Sequence, residues 1–222
     1  SAELMAKRLS AAERLIVGLS SEKERWTRET KELQIRKERL VCDCLLTCAF
    51  LSYAGPLTFE FRKHFIHDML EANLLQLQLP LSQPFTLQGL LTTDNEMNSW
   101  RAEGLPSDEL SVQNGILTTR AERFPLCIDP QMQASKWIKA REGASLEGKV
   151  RRQSDPDLLK QLELAIEYGL PFLIENVGEY IDPVLDPVLK KSFHFAQNGA
   201  KMIKLGDSEI EWDDNFRLYL TT

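Results

Sequence analysis

Residues 171–176 read Pro171-Phe172-Leu173-Ile174-Glu175-Asn176, a short apolar run that ends in a carboxylate and an amide. Such a run is typical of a strand that is covered on both faces, as in a parallel sheet. Stretches with helical spacing, near 132–141 and 155–168, separate it from similar runs. The other short runs are 124–128, 146–151, 202–205 and 216–220. This alternation predicts an α/β fold over residues 101–222, a parallel sheet flanked by helices.

Residues 1–55 have a different pattern, which predicts one long coiled-coil helix. The segment contains no proline, and apolar residues recur at alternating spacings of three and four over about six heptads. At 1.5 Å per residue the apolar seam is roughly 65 Å long. The seam consists of Leu9, Ile16, Leu19, Trp26, Leu33 and Leu40, with Ala2, Met5, Ala12 and Cys44 in the same pattern. Gly55 and Pro56 then end the helix.

Three polar residues interrupt this seam. Lys23, Thr30 and Lys37 occupy the same heptad position in successive repeats. Polar residues along one of the two rows of a seam leave a coiled coil weakly held in register. The alternative interpretation is a solvated long helix with an imperfect seam.

Residues 56–100 are interpreted as a connector. Phe59 to Leu75 has helical spacing, with Phe61, Phe65, Met69 and Ala72 on one face. Two prolines within residues 77–84 then break regular structure.

Composition excludes several classes of protein. The net charge of −6 argues against a general nucleic-acid binder. No run of 18 apolar residues exists, so we expect no membrane partner, and Ser1 to Ser10 lacks the apolar core of a signal peptide. Cys42 and Cys44 point about 200° apart on a helix and so do not converge, which predicts that Cys42, Cys44 and Cys48 are buried, reduced thiols in a cytosolic protein rather than a metal site.

The loop after the first predicted strand lies where a phosphate-binding loop would be. A working loop needs glycine at its first and sixth positions, then lysine, then serine or threonine. Those four positions hold Asp129, Ala134, Ser135 and Lys136. The Asp129 carboxylate would repel phosphates, and Lys136 comes one residue late, about 100° around the helix.

The predicted strand at 171–174 ends in a similarly altered motif. A nucleotide hydrolase needs an aspartate for Mg²⁺ and then a glutamate that positions water. Glu175 and Asn176 stand there, and an amide cannot act as a base. We therefore expect neither catalytic residues nor a bound cofactor or metal in this chain. The alternative from another class is an atypical ATPase that retains nucleotide binding.

The sequence resembles the dynein heavy chains, specifically their axonemal branch. Matching blocks in the same order extend over nearly the whole chain. They are 15–19, 24–26, 49–56, 100–116, 125–131, 173–179, 205–207 and 216–222. The strongest are Pro125-Leu126-Cys127-Ile128-Asp129-Pro130-Gln131 and the block that begins at Leu173.

The resemblance implies a role for each region. Residues 1–55 would be the returning helix of the antiparallel stalk coiled coil, and residues 101–222 the large subdomain of the fifth AAA+ module, a P-loop-like fold that in this family does not bind ATP. ATP and Mg²⁺ would act in other modules of the parent motor. The outgoing stalk helix, the stalk tip, a fifth strand and the lid subdomain would be missing, so we expect another surface or self-association to cover the seam.

The same resemblance implies partners and a location. The partners would be the outgoing stalk helix, neighbouring AAA+ modules, the microtubule through the stalk tip, and dynein intermediate and light chains. The location would be the cytoskeleton of a cilium or flagellum, the axoneme. The chain would relay conformational change between ring and stalk, and the row Lys23, Thr30, Lys37 would let the seam shift register. A third possibility is a coiled-coil adaptor with an α/β scaffold domain.

Overall fold

The computed structural model describes residues 2–222, and before Gly18 it describes side chains only at Met5, Leu9, Arg14 and Ile16. The seam positions Ala2 and Ala12 therefore have side chains outside the described part. The chain forms two compact units. The first comprises the chain up to Ala49 together with Glu60–Thr86, and the second comprises Phe50–Phe59 and Leu87–Thr222.

One helix, α1 (Ala2–Tyr53), confirms the predicted long helix. Its side chains from Gly18 to Val41 are exposed, apart from the half-buried Glu22 and Arg39. Burial begins with Cys42, Asp43, Leu46 and Thr47. The Asp43 carboxylate accepts hydrogen bonds from the backbone N–H of Ser82 at 2.9 Å and from its hydroxyl at 2.6 Å. These bonds fix this part of α1 to the loop that carries Ser82.

The cysteines of α1 are free thiols, as predicted, but only Cys42 is buried. Cys44 and Cys48 are exposed, so the prediction of burial was wrong for both. The reason is periodicity. Cys44 continues the exposed seam four residues after Leu40, and Cys48 follows one further turn along the same face.

The predicted helix at 59–75 is present in three parts. They are α2 (Phe59–Lys63), a π-helical segment (His64–Glu71) and α3 (Ala72–Gln76). The buried residues are Arg62, Ile66 and Leu74, whereas Phe61 and Met69 are more than half exposed. The π-helical segment has hydrogen bonds between residues five apart instead of four, so the helix does not keep the face that a regular α-helix would present over its whole length.

Three helices precede the sheet in the second unit. They are α4 (Gln88–Leu91), α5 (Asp94–Ala102) and α6 (Glu109–Arg120). The Thr93 hydroxyl caps α5 by accepting from the Glu96 N–H, and Asp108 caps α6 by accepting from the Ser111 N–H. Arg120 pairs with Glu96 at 2.9 Å and thereby joins α6 to α5.

A four-stranded parallel sheet confirms the predicted α/β architecture. Its strands are β1 (Leu126–Cys127), β2 (Val150–Arg152), β3 (Pro171–Glu175) and β7 (Arg217–Thr221), in the order β1-β7-β3-β2. Helix α7 (Gln133–Glu142) and a 3₁₀ turn (Gly143–Leu146) connect β1 to β2, and α8 (Leu158–Glu167) connects β2 to β3. The carboxyl ends of these strands meet at one edge of the sheet.

The run at 202–205 was predicted to belong to the parallel sheet, and this is wrong. It lies in β5 (Lys201–Leu205) of a separate antiparallel sheet with β4 (His194–Phe195) and β6 (Ser208–Glu211), in the order β4-β5-β6. Only Gly206 and Asp207 separate β5 from β6, and Gly206 has φ of 60°. A two-residue turn of this kind can make only a hairpin, because parallel pairing needs a long crossover.

The core of the second unit lies between α8 and the strands. Phe172, Ile174 and Leu218 of the parallel sheet are buried together with Leu162 and Ile166 of α8. A second 3₁₀ turn (Pro183–Leu185) and α9 (Asp186–Leu189) contribute Leu185 and Val188 to the same cluster. Each large apolar side chain buried here stabilises the unit by about 1.5 to 3 kcal/mol. This packing holds the carboxyl edge of the sheet in place.

Candidate functional site at the carboxyl edge of the sheet

The loop between β1 and α7 is organised by Asp129, which is 7% exposed. One oxygen of its carboxylate accepts a hydrogen bond from the backbone N–H of Gln133 at 2.7 Å, and the other accepts one from the backbone N–H of Ser135 at 2.8 Å. The N–H of Asp129 donates to the hydroxyl of Thr222, just after β7, at 3.2 Å. The carboxylate predicted to oppose phosphates therefore lies against the first turn of α7.

The residue before α7, Met132, cannot cap the helix itself. It has the left-handed conformation, with φ of 55°, and its side chain makes no capping hydrogen bond. At this position, a polar side chain such as that of serine or aspartate normally accepts hydrogen bonds from the free N–H groups of the first turn. Asp129 supplies that acceptor from three residues farther back in the loop.

The other predicted loop residues have different environments. Ala134 is half-buried, Ser135 is buried, and Lys136 is exposed. The N–H of Lys136 already donates to the carbonyl of Met132 at 3.2 Å. The structure therefore brings Asp129 and Ser135 together and leaves the side chain of Lys136 in solvent.

Glu175 ends β3 and is held by two residues of α7. The Ser135 hydroxyl donates to it at 2.5 Å, and the Lys139 ammonium lies 2.7 Å away. Burial raises the pKa of the Glu175 carboxyl, but the hydrogen bonds from Lys139 and Ser135 outweigh this and hold the pKa below its usual value. Glu175 is thus a carboxylate with partners inside the chain.

Asn176 begins the turn away from the sheet. It is exposed and has φ of 54°, a left-handed conformation that asparagine adopts more readily than most residues. The next residue, Val177, is buried, and its N–H donates to the carbonyl of Thr221 at 2.9 Å. The left-handed backbone conformation at this position is therefore sufficient to explain why the residue is an asparagine.

Three contacts of this site were not predicted from the sequence. The strand pattern places Thr222 at this edge, where a polar sensor of phosphate would lie, but it carries no clear signal that the Thr222 hydroxyl binds Asp129 or that the N–H of Gln133 does. Lys139 could have been found, because it lies four residues after Ser135 and so on the same face of α7.

The opposite face of α7 is fixed by aromatic and charged groups. The Trp137 indole N–H donates to Glu103 at 3.0 Å, and Arg141 lies 3.6 Å from the same carboxylate. Trp100 and Trp137 pack edge to face, with ring centroids 6.0 Å apart. At the end of the helix, the Tyr219 hydroxyl donates to Glu142 at 2.6 Å. Helix α7 is thereby held along its length.

The seam of α1 forms the second candidate surface, within the first unit. Its predicted members are 45% to 66% exposed. They are Leu9, Ile16, Leu19, Trp26, Leu33 and Leu40. The polar row Lys23, Thr30 and Lys37 is exposed as well. Aligned apolar side chains that face solvent mark a surface for association.

The described residues offer neither a cluster of metal ligands nor a membrane-spanning helix. Among the side chains that the structure describes, no three His, Cys, Asp or Glu residues are grouped as metal ligands would be. Within residues 2–222, no helix combines the length and the apolar character that crossing a bilayer requires.

Comparison with known proteins covers both units. A family described as the ATP-binding dynein motor region matches residues 98–222, and one described as the microtubule-binding stalk of the dynein motor matches residues 1–74. All of the chain aligns at 58% identity with the dynein-1-alpha heavy chain of the flagellar inner arm I1 complex of Chlamydomonas reinhardtii, and at 54% with human dynein axonemal heavy chain 10. Mouse dynein axonemal heavy chain 2 is 44% identical over 99% of the chain.

The chain spans 5% of the length of each of these relatives. The match to the motor region alone covers more than half of the chain, and the stalk match covers the long helix. The parallel sheet flanked by helices lies within the motor-region match, and the long helix lies within the stalk match. The chain therefore belongs to the dynein heavy chain family, with a stalk helix followed by a AAA+ module.

Proposed function

We propose that this chain is a non-catalytic part of a dynein-type microtubule motor, in which α1 relays conformational change between a ring of AAA+ modules and a microtubule-binding stalk tip. The proposal is supported by the stalk match over residues 1–74 and by the form of α1. In this account α1 is a lever, and the sheet of the second unit is a rigid element of the ring.

The observation that carries the proposal is the exposed seam. From Leu9 to Leu40 it extends for roughly 46 Å along the helix axis. A stripe of that length is suited to a second helix of similar length rather than to a globular patch. We propose that its partner is the outgoing stalk helix of the same heavy chain.

We further propose that the module in this chain neither binds nor hydrolyses nucleotide. Asp129 occupies the first turn of α7 with its carboxylate, and Glu175 is paired with Lys139. Ala134 lacks the conformational freedom that glycine has in a phosphate-binding loop, and the amide of Asn176 cannot act as a base. In this account the segment needs no cofactor, and ATP and Mg²⁺ act at other modules of the parent chain.

A second candidate function is a module that retains nucleotide binding as a regulatory site. The observation in its favour is the description of the matching family as an ATP-binding region. The two candidates differ in a direct observable, since a regulatory module predicts saturable binding of ATP or ADP and an inert module predicts none.

The names of the relatives suggest where the parent acts. Three of them are flagellar or axonemal heavy chains. We propose that the parent is an ATP-hydrolysing motor of the axoneme in a cilium or flagellum, bound to microtubules through its stalk tip. Its further partners would be the neighbouring AAA+ modules and the dynein intermediate and light chains.

The relay is tested in a motor domain with a complete stalk. Lys23, Thr30 and Lys37 are all replaced by leucine, and microtubule pelleting is measured with ATP, with ADP and without nucleotide. If the polar row permits a register shift, the variant stays in one affinity state and the pelleted fraction no longer depends on nucleotide.

The matched control carries leucine at Glu24, Lys31 and Glu38. These residues are exposed on the same stretch of α1 but lie one position outside the seam. The control should switch as the unmodified motor does. Normal switching by the seam variant would contradict the proposed role of the polar row.

A further inference from the structure

The first turn of α7 has the properties of an anion site. The free N–H groups and the helix dipole make the N-terminus of a helix attractive to phosphate or carboxylate groups. Here the buried carboxylate of Asp129 accepts hydrogen bonds from two N–H groups of this turn, one at each oxygen, at 2.7 and 2.8 Å. The anion at this site is thus part of the chain.

The surrounding contacts fix that carboxylate in position. The Asp129 N–H is bound to the hydroxyl of Thr222, so the loop is attached to the end of the neighbouring strand β7. The nearby cation Lys139 is paired with Glu175 rather than with Asp129. Because Met132 offers no cap, Asp129 is the side chain that satisfies these N–H groups of α7.

We propose that Asp129 is an internal substitute for a phosphate group, which keeps the first turn of α7 permanently in an anion-bound arrangement. This inference rests on the proposed nucleotide-free module and explains what stabilises the loop without a ligand. It makes Asp129 a positioning residue for α7, whose other contacts include those of Lys139 with Glu175 and of Trp137 with Glu103.

The test is rescue by an added anion. Asp129→Gly removes the carboxylate and leaves space, so the midpoint of thermal unfolding of the whole chain should fall by about 2 to 6 °C. Inorganic phosphate at about 50 mM should restore at least half of that loss, because a ligand that binds only the folded state stabilises it. Sodium chloride at the same ionic strength should restore little, and the general effect of each salt is measured on the unmodified chain and subtracted.

Two further variants separate this role from ordinary helix capping. Asp129→Asn keeps the volume of the side chain but not its charge, so it should be destabilised without rescue by phosphate. Asp108→Gly removes the exposed cap of α6, whose carboxylate accepts from Ser111 at 2.9 Å, and should also lose stability without rescue.

Each outcome decides the inference. If Asp129→Gly folds only in the presence of phosphate, the refolding yield with and without phosphate replaces the midpoint as the readout and supports the proposal. Unchanged stability of Asp129→Gly, or a loss that phosphate and chloride restore equally, overturns it. That result leaves the proposed nucleotide-free function intact, which would instead fail on ATP binding by the unmodified chain.

Discussion

The pairing of Glu175 with Lys139 leads to a prediction about stability and pH. Lys139→Met removes the ammonium 2.7 Å from the Glu175 carboxylate and keeps most of the aliphatic volume. The Glu175 side chain is 18% exposed and that of Lys139 is 42% exposed, so the pair lies between a surface and a buried ion pair. We expect Lys139→Met to lower the free energy of unfolding by about 1 to 2 kcal/mol at pH 7.

The sign of the pH dependence follows from Glu175. Its pKa in the folded chain is held below the ordinary value of 4.5, so its contribution to stability is present above that value and is lost as the pH falls through the folded pKa. Without Lys139 the effect of burial is less opposed, and the folded pKa rises. The difference between the unmodified chain and the variant should therefore be constant near neutral pH and shrink in acid.

Urea unfolding at pH 7 and at several acidic values measures this difference, and Lys139→Met with Glu175→Gln completes a double-mutant cycle. The double variant should regain much of the stability lost by Lys139→Met, because no carboxylate is left without its cation. An equal loss at every pH, together with additive single and double variants, would refute the assignment of Glu175 as a structural carboxylate.

Two other predictions concern the scaffold. Asp43→Ala should lower the free energy of unfolding by about 2 to 3 kcal/mol, because it removes both hydrogen bonds between Asp43 and Ser82. Ser82→Ala should lower it by about 1 kcal/mol, because it removes only the hydroxyl bond. Equal losses of the two variants in urea unfolding would contradict this interpretation. Gly169→Ala should cost about 2 to 4 kcal/mol, because Gly169 has φ of 65° and an added Cβ would lie 2.6 Å from the Asp213 carboxylate. An unchanged melting temperature for Gly169→Ala would exclude this close approach.

The features predictable from sequence are those that local patterns determine. The recurrence of apolar residues with no proline predicted α1, and the apolar run at 171–174 predicted a strand that is indeed fully buried. The positions of Asp129 and Glu175 at the carboxyl edge followed from the strand pattern, because parallel strands end at a common edge.

The features that escaped prediction depend on distant or subtle geometry. The pairing of β5 with its neighbours is decided by the turn at Gly206 and not by the apolar run itself. The buried face at 62–74 depends on a π-helical turn that the sequence does not signal. The bond between Asp43 and Ser82 joins residues 39 positions apart, and no local pattern reports it.

Titration of the folded chain with ATP and with ADP in the presence of Mg²⁺, followed by calorimetry, tests the central claim most directly. The sample must first show a cooperative unfolding transition, so that the absence of heat reports on the site rather than on misfolding. The account predicts no saturable heat with either nucleotide at high protein concentration. Saturable binding in the micromolar range would mean that the loop from Asp129 to Lys136 accepts phosphates, and it would contradict the account of the module as an inert element of the ring.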